Sequence, residues 1–565
     1  MVKTGKKIIG IAGLVLAVFN LLMFFSMRPC WSGISKTFGY TNGGSKFILD
    51  FPVYLCIVFF LIFISELALV IFSKFWKRWP IVYLIVNTIL LGGVIAIIVL
   101  GAKDYMRFIW VYFFKALGVA AAVGLIGWLL FAYPRRKVSY NKIFRTVGLG
   151  LAIICACLYL TGFEKNELLH DPVVYAVEDE YQIVFSSKAD SLGWVTAGGK
   201  DYYDLYAGSQ VSDKIHKVCV PMEVLDKAGG YEIHLQKVIY RGPFGGLLGK
   251  EITKDVEFRP VDLSDGLRYF NLSDIHMNKI AACGTEFSVG EYDFLVLDGD
   301  IVSDVETFKD ANYANEVASL MTHGEMPVIY ARGNHEVKGA WSDKLYRFVG
   351  SKDQKFYFSV NMGGLYALVL DIGEDHEDDW WEYYGTAAFD QYREEQLRFV
   401  DSEIEKGSYM DARYRLVVCH IPIVYVNYRH NHEYIKKELT DRLNSMDIDM
   451  SICGHQHEVL IFEPGLVAPY EKLVYNPEYA DGTYSGYLTD FNFPNLMASK
   501  FGYIQKESES DKKSHIGLLI EADVDAKTQV CSYINSNGES IKLVNPFADK
   551  SYGNSIEISA DGRWE

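Results

Sequence analysis

The sequence predicts a multi-domain chain. An α-helical membrane bundle comes first, a small β-sandwich second and a four-layer α/β/β/α domain third. Long apolar runs fill the first part of the chain. Short runs that alternate apolar and polar residues follow, as half-buried strands do. Further on, apolar strands alternate with helical stretches, which favours a layered α/β architecture. The boundaries that we expect are 1–165 for the membrane domain, 170–262 for the sandwich, 266–546 for the layered domain and 547–565 for a C-terminal tail.

The charge of the chain is divided unevenly. The 565 residues have a formal net charge of −16, yet the part up to Gly162 carries 17 Lys and Arg against three acidic residues. The remainder carries 38 basic and 68 acidic residues. Because a phosphate backbone binds to basic surfaces, we expect no nucleic-acid polymer as a partner of this acidic part.

Apolar runs predict the membrane bundle. About 20 apolar residues cross a bilayer as a helix, so we expect about five transmembrane helices. Lys and Arg cluster ahead of the first run and in the second and fourth loops, and such residues remain in the cytoplasm. Five crossings would place everything after Gly162 outside the cytoplasm of a multi-pass cell-membrane protein. Glu66 and Lys115 lie within predicted spans, where they either pair in the bundle or mark a solute pathway. The runs lie at about 8–27, 51–72, 81–100, 109–132 and 146–160.

The segment after the membrane bundle has the pattern of a β-sandwich, with short alternating runs separated by Gly, Asp and Lys. It resembles the fibronectin-type-III-like N-terminal domain of purple acid phosphatases, mainly through its first two strands; any other small sandwich is the alternative. The predicted strands are 181–185, 193–196, 217–220 and 231–238.

The third domain is expected to have two sheets packed face to face between helices. Each predicted strand delivers polar residues at its C-terminal end, which is where layered α/β folds place their sites. The predicted strands are 268–272, 294–297, 328–330, 366–370, 416–418, 450–452, 516–521 and 531–534, and the helices are 389–405 and 433–446.

Five short polar blocks at these strand ends have the composition of a two-metal site. Two ions about 3.5–4 Å apart need a bridging carboxylate, further oxygen and imidazole ligands, and open positions for water. Carboxylate, amide and imidazole ligands together suit Mn, Fe or Zn better than Ca. The blocks are Asp274-Ile-His276, Gly299-Asp300, Gly333-Asn334-His335-Glu336, His420 and Gly454-His455-Gln-His457.

In order, spacing and strand context, these blocks resemble the calcineurin-like metallophosphoesterase superfamily over about residues 267–546. The resemblance implies that His335 donates a proton to the leaving alcohol and that Arg332 grips the phosphate oxygens. It also implies a set of ligands for two divalent or trivalent ions. Asp274, His276 and His457 would bind the first ion, Asp300 would bridge both, and Asn334, His420 and His455 would bind the second.

Two departures from the family pattern bear on the catalytic roles. A carboxylate three residues after the bridging Asp orients the proton donor in the protein phosphatase branch. Here that position is Ser303 and the acid is Asp304, so the orienting role of Asp304 is open. Purple acid phosphatases carry a Tyr iron ligand after the bridging Asp, which this sequence lacks, so no purple iron centre is expected.

The apolar runs and the resemblance together imply a membrane-anchored phosphoesterase that hydrolyses phosphate esters with a hydroxide activated by two metals. We expect a small-molecule or lipid phosphate ester as the substrate and the membrane as a further partner. The alternatives are a phosphodiesterase acting on nucleotides or lipid head groups, a non-catalytic metal-binding sensor, and a transporter with an accessory phosphoesterase domain.

Other polar and aromatic segments have plainer interpretations. His430 and His432 are expected in a loop, and 374–379 is expected to be an acidic surface loop. The aromatic segment 380–384 either stacks on a substrate or covers the core.

Overall fold

The structure of the chain is a computed structural model. It divides into two compact units, the first made of 1–167, 188–192 and 235–252 and the second of 168–187, 193–234 and 253–565. The residues that it describes are 15, 18–24, 59, 62, 63, 89, 92, 116–120 and, from 166 onward, all except 243–244, 286–288, 381–382, 384, 427–431, 468–486, 500–514, 546–549, 561, 563 and 565.

The first part of the second unit is rich in strands. Helix α1 spans Met222–Ala228. The central residues of β2 and most of β7 and β8 belong to the first unit. The strands before residue 260 are β1 (Val173–Val177), β2 (Glu180–Ala197), β3 (Lys200–Tyr203), β4 (Leu205–Tyr206), β5 (Ser209–Gln210), β6 (Asp213–Pro221), β7 (Gly230–Gly242) and β8 (Gly245–Glu257).

Strands and helices alternate through the rest of the second unit. The strands are β9 (Leu267–Leu272), β10 (Phe294–Asp298), β11 (Pro327–Ala331), β12 (Phe358–Met362), β13 (Leu365–Leu370), β14 (Tyr414–Cys419), β15 (Tyr425–Val426), β16 (Met450–Cys453), β17 (Leu460–Phe462), β18 (Tyr487–Leu488), β19 (Asn495–Met497), β20 (Ile516–Asp523), β21 (Thr528–Asn535), β22 (Val544–Asn545), β23 (Lys550–Ser551) and β24 (Ile556–Ile558). The helices are α2 (Lys279–Gly284), α3 (Phe308–Ala311), α4 (Tyr313–Thr322), α5 (Phe389–Lys406) and α6 (Glu433–Leu443), with 3-10 turns at Leu263–Asp265, Ser342–Arg347 and Ser408–Asp411.

Two sheets form the body of this unit. The first runs β24–β21–β20–β9–β10–β11–β1–β2, and β9, β10, β11 and β1 are parallel. The second runs β12–β13–β14–β16–β19–β17, and β13, β14, β16 and β19 are parallel. In parallel sheets the carboxyl ends of neighbouring strands lie along one edge. Residues that follow these strands are therefore brought together.

Helices cover the outer faces of the two sheets. Leu297 of β10 and Val317 of α4 belong to one buried apolar cluster, and Leu368 of β13 and Leu439 of α6 belong to another. The inner faces meet where the Tyr269 hydroxyl of β9 lies 3.1 Å from a hydroxyl of β14. The order of layers in this unit is helix, sheet, sheet, helix.

The structure corrects the predicted fold class in a first respect, because 170–262 does not form a separate β-sandwich. β1 pairs in parallel with β11, and Val174 lies opposite Pro327. Tyr175 is fully buried in the same cluster as Leu297. The segment extends the first sheet because an apolar strand such as β1, buried throughout, is suited to the interior of a parallel sheet. The predicted strands 181–185 and 193–196 are also one continuous strand, β2.

A second correction to the fold class concerns the membrane bundle that was expected in 1–165. Among the residues that the structure describes, no helix is both long enough and apolar enough to span a membrane. The longest described helix, α5, has Asp, Glu, Arg or Lys at half of its 18 positions. The five predicted spans lie for the most part outside the described residues. In place of the predicted fold class, the described residues from 166 onward form a largely β/α structure.

Candidate metal centre

The predicted ligand residues follow five strands of the two sheets. Strands β9, β10 and β11 belong to the first sheet, and β14 and β16 belong to the second. The ligand residues are Asp274 and His276 after β9, Asp300 after β10, Asn334 after β11, His420 after β14, and His455 and His457 after β16.

The side chains converge into two groups that share Asp300. Within each group, one ligand atom of every member lies within 4.8 Å of the others. The amide oxygen of Asn334 joins the second group because it lies 2.9 Å from His455 Nδ1. The shared carboxylate lies where a two-ion site requires a bridge. The groups are Asp274, His276, Asp300 and His457, and Asp300, His420 and His455.

The loops that carry the ligands have a left-handed backbone. φ is +55° at Asp274, +44° at His276 and +50° at Asp300, a region that residues with side chains seldom adopt. Such strain persists where the surrounding structure enforces it. The Asp274 N–H donates to the Gly299 carbonyl at 3.0 Å, and the His276 N–H donates to the Asp300 carbonyl at 2.9 Å. Gly299 has a φ of +70°, and a Cβ there would lie 2.5 Å from the His420 ring.

The charges around the ligands favour cation binding. Burial raises the pKa of Asp274, but His457 and His420 outweigh it and hold this pKa well below its usual range. Burial lowers the pKa of His276 to about 4, so this imidazole is neutral at neutral pH. Ionised carboxylates and neutral imidazoles are the forms that bind metals. His420 differs, because Asp300 and Asp274 outweigh burial and raise its pKa well above the usual value. Metal binding at His420 would therefore displace a proton.

The residues fit a pair of metal ions. Asp274 Oδ1 and His420 Nε2 are buried, and among the described residues neither has a hydrogen-bond partner. His457 Nε2 lies 3.2 Å from Asp274 Oδ1, and Asp300 Oδ2 lies 3.2 Å from His420 Nε2. The Nε2 atoms of His276 and His457 face each other at 2.9 Å, as two ligands of one ion do. Two carboxylates, an amide oxygen and four imidazoles suit Mn, Fe or Zn.

Glu336 holds two ligand loops together. Its carboxylate accepts hydrogen bonds from the N–H groups of Asp300 at 2.9 Å, Ile301 at 2.7 Å and Gly333 at 3.0 Å. Burial and the neighbouring Asp300 raise the pKa of Glu336 to about 7. The sequence places Glu336 in the block Gly333-Asn334-His335-Glu336, but no local pattern indicates this role.

His335 lies beside the shared carboxylate. Its Nε2 is 3.9 Å from Asp300 Oδ2, and its side chain is 32% exposed. Its Nδ1 lies 2.6 Å from the Ser303 carbonyl oxygen, which can only accept, so Nδ1–H donates. Asp304 is exposed and, among the described residues, makes no hydrogen bond or ion pair. The Ser303 carbonyl, and not the Asp304 carboxylate, therefore orients the His335 ring.

Arg332 is engaged with other residues. Its Nε and Nη2 lie 2.9 and 2.7 Å from Asp371 Oδ2, and its guanidinium lies 4.5 Å from the centre of the Phe356 ring. Asp371 directly follows β13, and that position after an apolar strand is the signal that could have identified it. The phosphate contact of Arg332 stays a prediction.

The segment 374–379 differs from the predicted surface loop. Glu374 and Asp375 are buried, and Asp375 Oδ2 lies 2.6 Å from His455 Nε2. In a run of acidic residues no pattern singles out the one that contacts His455, 80 positions away. Trp380 of the aromatic segment is exposed and stacks on His376.

His432, Glu377 and Asp390 form a third group of side chains whose ligand atoms lie close together. Its Nε2 lies 3.1 Å from the His376 carbonyl, and Arg393 pairs with Asp390 at 2.7 Å. His432 Nε2 and the Asp390 carboxylate are thus engaged by protein groups, and His430 lies outside the described residues. We assign no metal to this group.

Comparison with known families identifies the part of the chain that holds the site. Residues 267–459 match the family model described as calcineurin-like phosphoesterase. The chain contains a calcineurin-like phosphoesterase domain. This domain includes all seven predicted ligands and His335, so the predicted enzyme class, a hydrolase of phosphate esters, is confirmed. The prediction of two metal ions as cofactors is confirmed as well.

Solved structures resemble the chain at low sequence identity. Purple acid phosphatase PPD1 from seeds of yellow lupin (Lupinus luteus) is 12% identical, with a TM-score of 0.43, over 70% of this chain and 74% of that one. GAP50, the anchor in the inner membrane complex of Plasmodium, is 13% identical, with a TM-score of 0.29, over 51% and 88%. A metallophosphoesterase from Sphaerobacter thermophilus is 12% identical, with a TM-score of 0.22, over 48% and 88%. No curated protein matches the chain.

Proposed function

We propose that the phosphoesterase domain hydrolyses small phosphate esters at a pair of Mn, Fe or Zn ions, with His335 as the proton donor to the leaving alcohol. The observation that carries this proposal is the position of Asp300. It belongs to both ligand groups, and His335 Nε2 lies 3.9 Å from its carboxylate. Bound ions would supply an activated water and neutralise charge that develops on the phosphoryl oxygens.

The residues of the chain supply the proton and its direction. The Ser303 carbonyl accepts the Nδ1–H of His335, which leaves Nε2 turned toward Asp300. A proton held on Nε2 makes the ring an imidazolium that can protonate an ester oxygen as the bond to phosphorus breaks. A metal-binding sensor needs no proton donor at this position, so the geometry favours an enzyme.

The substrate is inferred at the level of its chemistry. The partial exposure of His335 leaves space for an ester to approach from solvent. A lipid phosphate or a diester as the substrate remains a prediction from the sequence. The extracytoplasmic position of the domain also stays a prediction, because it depends on a span count over residues outside the described ones.

A metal-reconstitution assay tests the proposed function. The purified chain, stripped with a chelator, should lose hydrolysis of aryl and alkyl monoesters and recover it with Mn or Zn. Diesters, nucleotides and lipid phosphates in the same screen would define the preferred class. Equal hydrolysis with and without the chelator would reject a metal-dependent reaction.

A further inference from the structure

We propose that two buried residues, Asp375 and Lys436, form a positioning relay that sets the metal affinity of the second ligand group through His455. The relay rests on the proposed function, because it concerns the ion that His455, His420 and Asn334 would hold. Neither Asp375 nor Lys436 is among the seven ligand positions. Both act on the ion through His455.

Contacts link the three side chains in series. Lys436 of α6 is fully buried, and its Nζ lies 3.3 Å from Asp375 Oδ1. The other carboxylate oxygen, Oδ2, lies 2.6 Å from His455 Nε2. Lys436 also donates to the Tyr425 carbonyl at 3.2 Å, so a second contact holds its ammonium. The series therefore connects α6 to a residue of the metal centre through the segment that follows β13.

The Asp375 carboxylate determines which nitrogen of His455 would bind a metal. An ionised carboxylate can only accept hydrogen bonds, so Nε2 carries the proton that it accepts. The Nδ1 atom of the neutral ring then keeps its lone pair, and it lies 2.9 Å from Asn334 Oδ1. Both atoms can donate electron pairs to one ion. Loss of the Asp375 carboxylate would leave the ring free to turn or to change tautomer.

Lys436 acts one step further from the ion. Its ammonium lies beside Asp375 Oδ1, while Asp375 Oδ2 contacts His455. Stability alone is a weak reason for such a pair, because replacing a buried ion pair with apolar residues is often neutral or stabilising. Outer partners of a metal-binding histidine, in contrast, typically change metal affinity 10–100-fold. The position of the pair against His455 favours the second role.

Metal binding by the full-length chain tests the relay independently of catalysis. Mn²⁺ titration by calorimetry should show two ions in the wild type. Asp375→Asn should weaken one of them about 10–100-fold, and Lys436→Met should weaken the same ion less. The matched controls are Asp379→Asn, an exposed acid of the same segment, and Lys437→Met, the exposed neighbour on α6. Both controls should bind two ions as the wild type does.

A His455→Ala background separates positioning from a structural role. There, Asp375→Asn should cause no further loss of metal affinity, since the relay acts only through His455. Wild-type affinities in Asp375→Asn, or an equal loss with and without His455, would overturn the relay. If Asp375→Asn does not fold, wild-type affinities in a folded Lys436→Met would overturn it in the same way. A wild-type chain that binds fewer than two ions would reject the two-ion function itself, a result obtained before any variant is made.

Discussion

Single residues of the metal centre determine how its catalytic groups are oriented. The backbone carbonyl of Ser303 orients His335. In the protein phosphatase branch of the family a carboxylate has this role. A carbonyl cannot be removed by mutation of a side chain, so this orientation is insensitive to the residue at 303. Asp304, exposed and uninvolved in described contacts, should accordingly be replaceable without loss of activity.

His335→Ala is expected to lower kcat by about 10²–10⁴-fold on alkyl phosphates. The loss should be much smaller on nitrophenyl phosphate, because nitrophenolate leaves without a proton. Bound metal, measured by mass spectrometry, should stay unchanged, since His335 is not one of the seven ligands. Asp304→Asn is the matched control and should retain wild-type kcat. Equal losses on both ester types would contradict proton donation by His335.

Loops and strands determine whether the ligands are held in place. The Glu336 carboxylate accepts hydrogen bonds from several backbone N–H groups. Glu336→Gln replaces it with an amide, which has a single acceptor oxygen. At least one buried N–H is left without a partner, so the free energy of unfolding should fall by about 1–3 kcal/mol. Urea denaturation measures this change, and Glu306→Gln, at an exposed position nearby, should have little effect. An unchanged urea midpoint in Glu336→Gln would show that the loops do not depend on it.

A second prediction at this scale concerns pH. His170 precedes β1, and its Nε2 accepts from Asn312 Nδ2 at 2.9 Å, which requires a neutral ring. Burial lowers its pKa below the ordinary value of 6.5. The unfolded chain then binds the proton first, so this contribution to stability is present above pH 6.5 and is lost as the pH falls below it. Between about pH 7.5 and about pH 5.5, the urea midpoint of the wild type should fall further than that of His170→Gln. Parallel decreases would contradict the assignment.

At the scale of the whole molecule, β1 is part of the phosphoesterase sheet. Removing it would expose the edge of β11 and the apolar side chains that Tyr175 covers. A fragment that begins at 266, the boundary predicted from sequence, should therefore be unstable and aggregate. A fragment that begins at 166 retains β1 and β2 and should give a cooperative thermal transition. Equal stability of the two fragments would show that the sandwich prediction describes the domain better.

Sequence reasoning located the polar blocks where position is encoded locally. Each block follows an apolar strand, and strands β9, β10 and β14 are readable as buried runs. The assignment of the seven residues as metal ligands is what the family resemblance implies, and it stays a prediction. The pairing of β1 with β11 could not be predicted, because it joins segments about 150 residues apart and no local pattern specifies it. Asp375 was missed for the same reason, since only its contact with His455 distinguishes it from its acidic neighbours.

In the proposed function one carboxylate, that of Asp300, would join two ions. Electron paramagnetic resonance of the chain loaded with two equivalents of Mn²⁺ tests this claim most directly. A shared carboxylate predicts the signal of two exchange-coupled ions, and Asp300→Asn should abolish that signal and lower hydrolysis by more than the 10–100-fold typical of an outer partner. Two uncoupled Mn²⁺ signals in the wild type, or a coupled signal that survives in Asp300→Asn, would contradict the account.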